Sequence, residues 1–580
     1  MHDEWAISDG YFDVGGVWHA TSDATREALR ASMGTPVAGN PLWFVPAGQP
    51  AAGLWNPCRI RLEGGPEIGP VSELPADLPI GYHDLIPADG GPWTRLFVHP
   101  PNCPEIPVAW GVAAQIYALW STRSWGVGDL GDLATVAAAV ARAGGGAMLV
   151  SPLHQPAPSL PQEDSPYYPS SRRAWNPLLI AMDPPVPEVL HCAAASLVDR
   201  DAAWGAKRAA LMERYRAERA AGTSRPVPDA PASVACWNAL CDEFGPRWRE
   251  WPELWNRFDR QALTTRLSED TDFAERARFH QWCQGQVGAQ LATVATHGVA
   301  LIGDLAIGFS PQGADAWEYQ DLLALDIRIG APPDPFSLSG QDWGIPPFTP
   351  WRVRNAGYQP LIETIRAALR GVQGLRIDHV MGLFRQFWIP VGRPAAEGAY
   401  VAYPADELMA IICIEAERAG AFVVGEDLGT VEPHVRERLA HHRIAGTRVL
   451  WFEDQPPSRW PAECLATVTT HDLPTVTGVF AGTDGNEEHR ARLDAVLSDA
   501  VLSDAVLSDP GSAAAASPDV VIAAVHAALL ASPSRLRLLA MDDVCGAAER
   551  PNHPGTVNGI NWRRRLPSSV DHLVLPQARA

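Results

Sequence analysis

In this 580-residue chain, acidic side chains stand at or just beyond the ends of short apolar runs at six places. They are Asp304 in ALIGDLAIG, Asp378 in GLRIDHV and Glu426 in AFVVGEDLG. Glu453 follows in GTRVLWFE, Asp472 in CLATVTTHD and Asp543 in LRLLAMDDV. If the runs are parallel strands of one barrel, their ends form the face on which such barrels carry chemistry. One acid there is as well explained by capping of the next helix. Six together would repel one another unless they bind something polyhydroxylated or cationic.

GLRIDHV is the most informative run. Strand alternation sends Arg376 and Asp378 to one side and Ile377 to the other. A guanidinium beside a carboxylate keeps it ionised and fixes its direction, which suits the nucleophile of a retaining glycosidase. A purely structural Arg–Asp pair is the plainer alternative. The nucleophile's partner must be a protonated carboxyl able to donate to a leaving oxygen. Glu426, ending the apolar run AFVVG, suits that role. Asp472, after His471, can hold the hydroxyls of a distorted sugar ring. Two carboxyls about 5 Å apart would imply a covalent intermediate and retention.

The elements that must position these groups are read from periodicity. Eight short apolar runs begin at Ala114 (AQIYALW), Ala147, Ala300, Gly374, Ala421, Gly446, Cys464 and Leu536. Helical stretches such as DLATVAAAVARAGG and TVEPHVRERLAHH separate them. The pattern predicts an α/β fold, a (β/α)8 barrel over residues 106–580. A large insertion is expected after the second strand, at about 155–297. Residues 1–105 read as an N-terminal β-rich domain with one helix, TSDATREALRASMG, capped by Thr21 or Ser22. The repeat AVLSDAVLSDAVLSD, within a low-complexity surface segment at 494–517, has a period of five that fits no helical face.

Composition narrows the function. The formal charge is −21, so phosphate backbones and anionic membrane surfaces are repelled, and neither nucleic acid nor membrane is an expected partner. A neutral ligand is indifferent to that charge. The 22 tryptophans suit sugar faces, although most should be core. Nine cysteines lie scattered without a CxxC pair, so a reduced, cytoplasmic chain is expected and no metal site. Cys283, Cys413 and Cys464 read as buried inert thiols. No signal peptide or membrane span is visible. Gly126–Gly131 matches GxGxxG, but a polar loop precedes it and Asp129 inside it would repel a pyrophosphate.

From about Trp110 onward the sequence resembles the 4-alpha-glucanotransferases known as amylomaltases or disproportionating enzymes. The segments carrying the resemblance are WGVGDLGDL, SPYYPSSRRAWNPL, GAPPDPFSLSGQDWGIPP, RIDHVMGLFRQFWIP, GEDLGTV, TTHDLPT and PGTVNGINWRRRL. Single pieces are weak evidence; seven in order are specific. The resemblance implies transfer of alpha-1,4-glucan segments between maltooligosaccharides, with glucose also an acceptor and no cofactor. It implies Asp378 as nucleophile, Glu426 as acid/base and Asp472 as third carboxylate. It places Arg376, His379 and His471 in the donor site with Asp304 nearby. Tyr167 is implied to stack on the donor ring, and Trp343 to shape the acceptor side. The loop around Pro332 to Pro350 is a candidate lid and acceptor platform. Where the family usually has Asp-Ser, this chain has Gln312-Gly313, and Ser151 replaces a common Asn. An alpha-glucan hydrolase of similar fold is the alternative enzyme, and a non-catalytic glucan binder a third reading.

Overall fold

The computed structural model describes residues 2–576 except 14, 55, 193–195, 224–231, 335–336, 430, 503–516 and 557–558. Most of the low-complexity segment at 494–517, including the end of the repeat, therefore lies outside the described residues. Its first part belongs to the helix Glu487–Leu502.

Eight strands close into a parallel barrel. In chain order they are β1 (Ala109–Ala114), β2 (Ala147–Val150), β3 (Ala300–Leu305), β4 (Gly374–Ile377), β5 (Phe422–Gly425), β6 (Ile444–Val449), β7 (Cys464–Thr467) and β8 (Leu536–Ala540). The order around the barrel follows the chain, with β8 paired to β1. Seven of the eight expected runs coincide with these strands. The first does not: the strand is AWGVAA, and the expected AQIYALW contributes instead the 3-10 turn Ile116–Ala118. The physical reason is close approach. A Cβ at Gly111 would lie 1.7 Å from the Ala147 carbonyl oxygen, so the strand needs a glycine in its middle and its apolar run is interrupted there.

By compactness the chain divides into two units. One comprises Met1–Glu105, Tyr319–Arg370 and His379–Ile444; the other comprises Ile106–Glu318, Gly371–Asp378 and Ala445–Ala580. In the second unit, the stretch between β2 and β3 forms four helices, Arg200–Ala220, Ala232–Phe244, Arg260–Glu269 and Thr271–Ala295. The GxGxxG glycines are structural here. Asp129 caps the helix Leu130–Arg142 in a capping box with Asp132, and a Cβ on Gly128 would meet the Ile116 carbonyl at 1.9 Å.

In the first unit, a five-stranded sheet runs in the order Leu42–Pro46, Thr94–His99, Gly81–Pro87, Cys58–Arg61, Glu67–Val71. Ile60, Leu85, Leu96 and Val98 form the core of one face. The N-terminal helix Asp23–Met33 is capped by Ser22 rather than Thr21. A four-stranded antiparallel sheet, Gln341–Ile345, Ile327–Ala331, Arg385–Pro390 and Ala399–Ala402, takes up part of the expected Pro332–Pro350 loop. Gly330 permits this pairing, since a Cβ there would sit 1.9 Å from the Gln341 carbonyl oxygen.

Candidate functional site

In the barrel unit the chemistry converges on Arg376. It lies on β4, is buried, and its two terminal nitrogens fork between carboxylates. One donates to Asp304 Oδ1 at 2.6 Å and the other faces Asp378 Oδ1 at 3.1 Å. The same-side placement expected from strand alternation is thus present. Asp378 is the first residue past β4; its backbone N–H donates to the Leu305 carbonyl at 3.1 Å. Its side chain is 19% exposed, against 4% for Asp304 and 8% for Arg376. Asp304 and Arg376 are thus the buried supports, and Asp378 is the carboxylate that solvent or a ligand can reach.

Asp304 Oδ2 accepts the Tyr167 hydroxyl at 2.6 Å, and the same hydroxyl lies 3.1 Å from His471 Nδ1. Tyr167 has one hydroxyl proton, and Asp304 takes it. The imidazole must therefore supply a hydrogen at Nδ1. On its other side His471 Nε2 faces Asp472 Oδ2 at 3.4 Å. Both ring nitrogens face acceptors, which suits the imidazolium. Burial pushes His471 down, but the Asp472 charge and hydrogen bond outweigh it and hold it above the ordinary imidazole value. Burial conversely pushes Asp472 up, while His471, Asn552 and Arg376 bring it below the usual carboxylate range. Tyr167 stays a neutral phenol, raised by burial and by the Asp304 charge. A pocket opens beside these groups, lined by Tyr167, Asp304, Arg376, Thr470 and His471 among others.

In the other unit, Glu426 is the first residue past β5. Its Oε2 accepts the His379 backbone N–H at 3.0 Å and its Oε1 that of Leu428 at 2.8 Å. His379 adopts a left-handed backbone, φ +46°, uncommon outside glycine. Such a conformation costs about 1–3 kcal/mol and persists only where surroundings enforce it. Here it aims the N–H at Glu426. The Trp343 ring meets the His379 imidazole edge-on, centroids 5.2 Å apart.

Two of the six strand-end acids behave differently. Glu453 lies beyond the end of β6, just after a turn, 3.5 Å from Arg448. Asp543 is fully buried in the helix Met541–Val544 and accepts the Val476 N–H at 2.7 Å.

Sequence reasoning assigned no role to Asn552, Arg550 or Trp562. Asn552 Nδ2 donates to Asp472 Oδ1 at 2.6 Å, and its backbone N–H to the His471 carbonyl at 3.0 Å. Arg550 donates to the Asp472 carbonyl at 2.9 Å. Trp562 packs against both Tyr167 and His471, centroids 5.3 and 5.1 Å away. Trp562 stands inside the PGTVNGINWRRRL motif, so a signal existed; Asn552, two residues ahead of that motif, carried none. Among the described residues no cluster of His, Cys, Asp or Glu could hold a metal ion.

Known proteins match this chain over nearly its whole length. A sequence model of the 4-alpha-glucanotransferases matches residues 114–571. A 4-alpha-glucanotransferase of Mycobacterium tuberculosis is 38% identical over 557 residues, covering 84% of this chain and 76% of the relative. One from Haemophilus influenzae is 33% identical over 458 residues, 69% and 65% of the two chains. The amylomaltase structure from Corynebacterium glutamicum superposes with a TM-score of 0.79 at 27% identity, covering 98% of this chain and 96% of that one. An amylomaltase from Streptococcus agalactiae, solved with acarbose, shares the fold with a TM-score of 0.59 at 20% identity over 79% of this chain and 94% of its own. A barrel whose β4 and β5 end in the acids of RIDH and GEDLG, matched by a family model from 114 to 571, has one consistent reading: the chain belongs to the 4-alpha-glucanotransferase family.

Proposed function

We propose that this 4-alpha-glucanotransferase works by a retaining double displacement, with Asp378 as nucleophile, Glu426 as general acid and base, and Asp472 as the carboxylate that steadies the distorted donor ring. The Arg376 fork carries this reading. It holds Asp378 ionised and oriented, with only Asp378 among its two acids left reachable. Glu426 donates its proton to the leaving oxygen as Asp378 Oδ attacks the anomeric carbon. It then takes the proton of the acceptor's 4-hydroxyl, which displaces Asp378 and restores the alpha configuration. His471 and Asp472 present a donor and an acceptor to sugar hydroxyls. Tyr167, clamped by Asp304, and Trp343, packed on His379, supply the aromatic surfaces. The substrates are alpha-1,4-linked maltooligosaccharides, with glucose as the smallest acceptor. The acarbose bound to the streptococcal relative supports that substrate class.

Transfer outruns hydrolysis when the acceptor is pre-positioned, since orientation supplies effective molarities of about 10⁵ M or more. The segment from Pro332 to Pro350, with Trp343 on it, is assigned that platform. Cytoplasmic residence is part of the proposal: all nine thiols are free, and no helix of the described residues is long and apolar enough to cross a membrane.

Maltotriose as sole substrate tests the whole reading. A ladder of longer glucans with little early excess of glucose is expected; only shorter products would identify a hydrolase. Asp378→Asn is expected to lose transfer by on the order of 10⁴-fold or more while still binding glucan. Glu426→Gln should retain activity on a glycosyl fluoride, which needs no protonation to leave, and should accumulate the glucosyl ester on the Asp378 peptide. Near-normal rates for Asp378→Asn overturn the nucleophile assignment.

A further inference from the structure

Three groups with no part in sugar chemistry meet in the first unit. Cys103 lies on the extended segment after Thr94–His99, and its backbone N–H donates to the His442 carbonyl at 2.9 Å. Cys413 lies in the middle of the helix Ala405–Ala419. Their sulfurs are 3.5 Å apart although 310 residues separate them in the chain. His442, at the C-cap of the helix Pro433–His441, places Nδ1 3.8 Å from Cys413 Sγ and 3.2 Å from the Pro101 carbonyl oxygen. The other buried thiols differ. Cys58, Cys192 and Cys464 hydrogen-bond backbone carbonyls, and although Cys192 also accepts from Arg565 at 3.0 Å, these sulfur contacts include no second thiol. Cys413, expected from sequence to be inert as well, has a second thiol and an imidazole.

We propose that Cys103 and Cys413 form a reversible dithiol site that small hydroperoxides oxidise to a disulfide, with Cys413 as the attacking thiol and Cys103 as the resolving one. The Pro101 carbonyl can only accept, so the nitrogen facing it carries a hydrogen, and Cys413 sulfur is left as a second acceptor of that hydrogen. This arrangement favours the thiolate–imidazolium pair. The Cys103 hydrogen bond and the His442 charge lower Cys413 against the opposing effect of burial, while its bond to Cys413 and burial raise Cys103. One thiol is thereby made the nucleophile and the other kept protonated.

The chemistry balances without further reagents. Cys413 thiolate attacks the distal oxygen of the peroxide; the S–O bond forms, the O–O bond breaks, and the leaving oxygen takes the His442 proton. Cys103 sulfur then attacks Cys413 Sγ. The S–S bond forms and the S–O bond breaks, and hydroxide leaves with the Cys103 proton as water. Two thiols lose two electrons and the peroxide gains them. The sulfurs must close from 3.5 Å to the bonded distance of about 2.05 Å. Cys103 sits outside helix and strand, so it is the side that moves. Both side chains are buried, 1% and 0% exposed. The oxidant must therefore be small and must wait for local opening of the segment around Cys103.

The full-length protein is treated with hydrogen peroxide, blocked with N-ethylmaleimide and mapped by mass spectrometry. The expected product is 2 Da lighter before blocking, carries a peptide linking Cys103 to Cys413, and returns to the dithiol with dithiothreitol. The cross-link closes a long loop in the unfolded chain, so the melting temperature should rise on oxidation and fall on reduction. With Cys103→Ser the reaction should stop at a Cys413 sulfenic acid that dimedone traps; with Cys413→Ser neither product should form. His442→Asn should slow the reaction severalfold. Recovery of both cysteines as unmodified thiols, or oxidation spread evenly over Cys58, Cys192 and Cys464, overturns the proposal. The wild-type map alone decides this if a variant does not fold.

Discussion

Asp472 shows how a residue absent from any sequence-level assignment can govern one that was assigned. Its Oδ1 takes a hydrogen from Asn552, its Oδ2 faces His471, and its carbonyl is held by Arg550. A hydrogen bond to a charged group is worth about 1.5–3 kcal/mol. Asn552→Ala should therefore lower kcat/KM by roughly tenfold to a hundredfold, read with maltotriose at saturating and limiting concentration. The histidine half of the pair is tested by titration. Asp472 raises His471, so its imidazole should hold the proton above the ordinary value of about 6.5 and lose it only as pH rises further. Asp472→Asn removes the cause and should bring the NMR titration of that ring down to or below the ordinary value. An unchanged titration would show that the two do not interact.

At the scale of elements, the glycine-rich turn after β1 is informative because its motif pointed elsewhere. Gly126 supplies a φ of +76°, Gly128 permits close backbone approach, and Asp129 is spent on the N-terminus of Leu130–Arg142. Lys207, the single lysine of the chain, reaches this turn from the inserted helix Arg200–Ala220. Its ammonium is fully buried, donates to the Leu178 and Ile180 carbonyls at 2.9 Å, and lies 3.5 Å from Asp129. The insertion is thus bolted to the barrel's first helix through one cation. Removing one partner of a buried pair leaves the other charge uncompensated, at about 3–5 kcal/mol. Lys207→Ala should lower the melting temperature clearly while an exposed control such as Arg216→Ala does not.

For the whole molecule, the acids behind β8 set a pH dependence of stability. Burial raises Asp542 to about 6 and Asp543 to about 7. In the unfolded chain both titrate near 3.8. Between these values the folded protein binds protons that the unfolded chain has lost, so stability falls as pH rises. The contribution is complete below about pH 4 and gone above about 7. Asp543→Asn keeps the oxygen that accepts the Val476 N–H and removes the titration. It should raise the melting temperature at pH 8 more than at pH 5; equal shifts would place the titration elsewhere.

The acids of GLRIDHV and AFVVGEDLG were legible in the amino-acid order because they follow buried strands directly, and burial writes itself as an apolar run. Period two likewise placed Arg376 beside Asp378. β1 escapes the pattern for the converse reason: close packing on Ala147 demands a glycine at 111, which breaks the apolar run. No local pattern could bring Asn552 to Asp472, Trp562 to Tyr167 or Cys103 to Cys413, since these contacts join segments 80 to 395 residues apart. Sequence by itself determined the barrel, the family and the acids that end its strands, because periodicity and motif are local properties of a chain. Only the tertiary structure decided which acids are shielded, which histidine is drawn toward its charged form and which thiols meet, because burial and distance belong to the folded backbone.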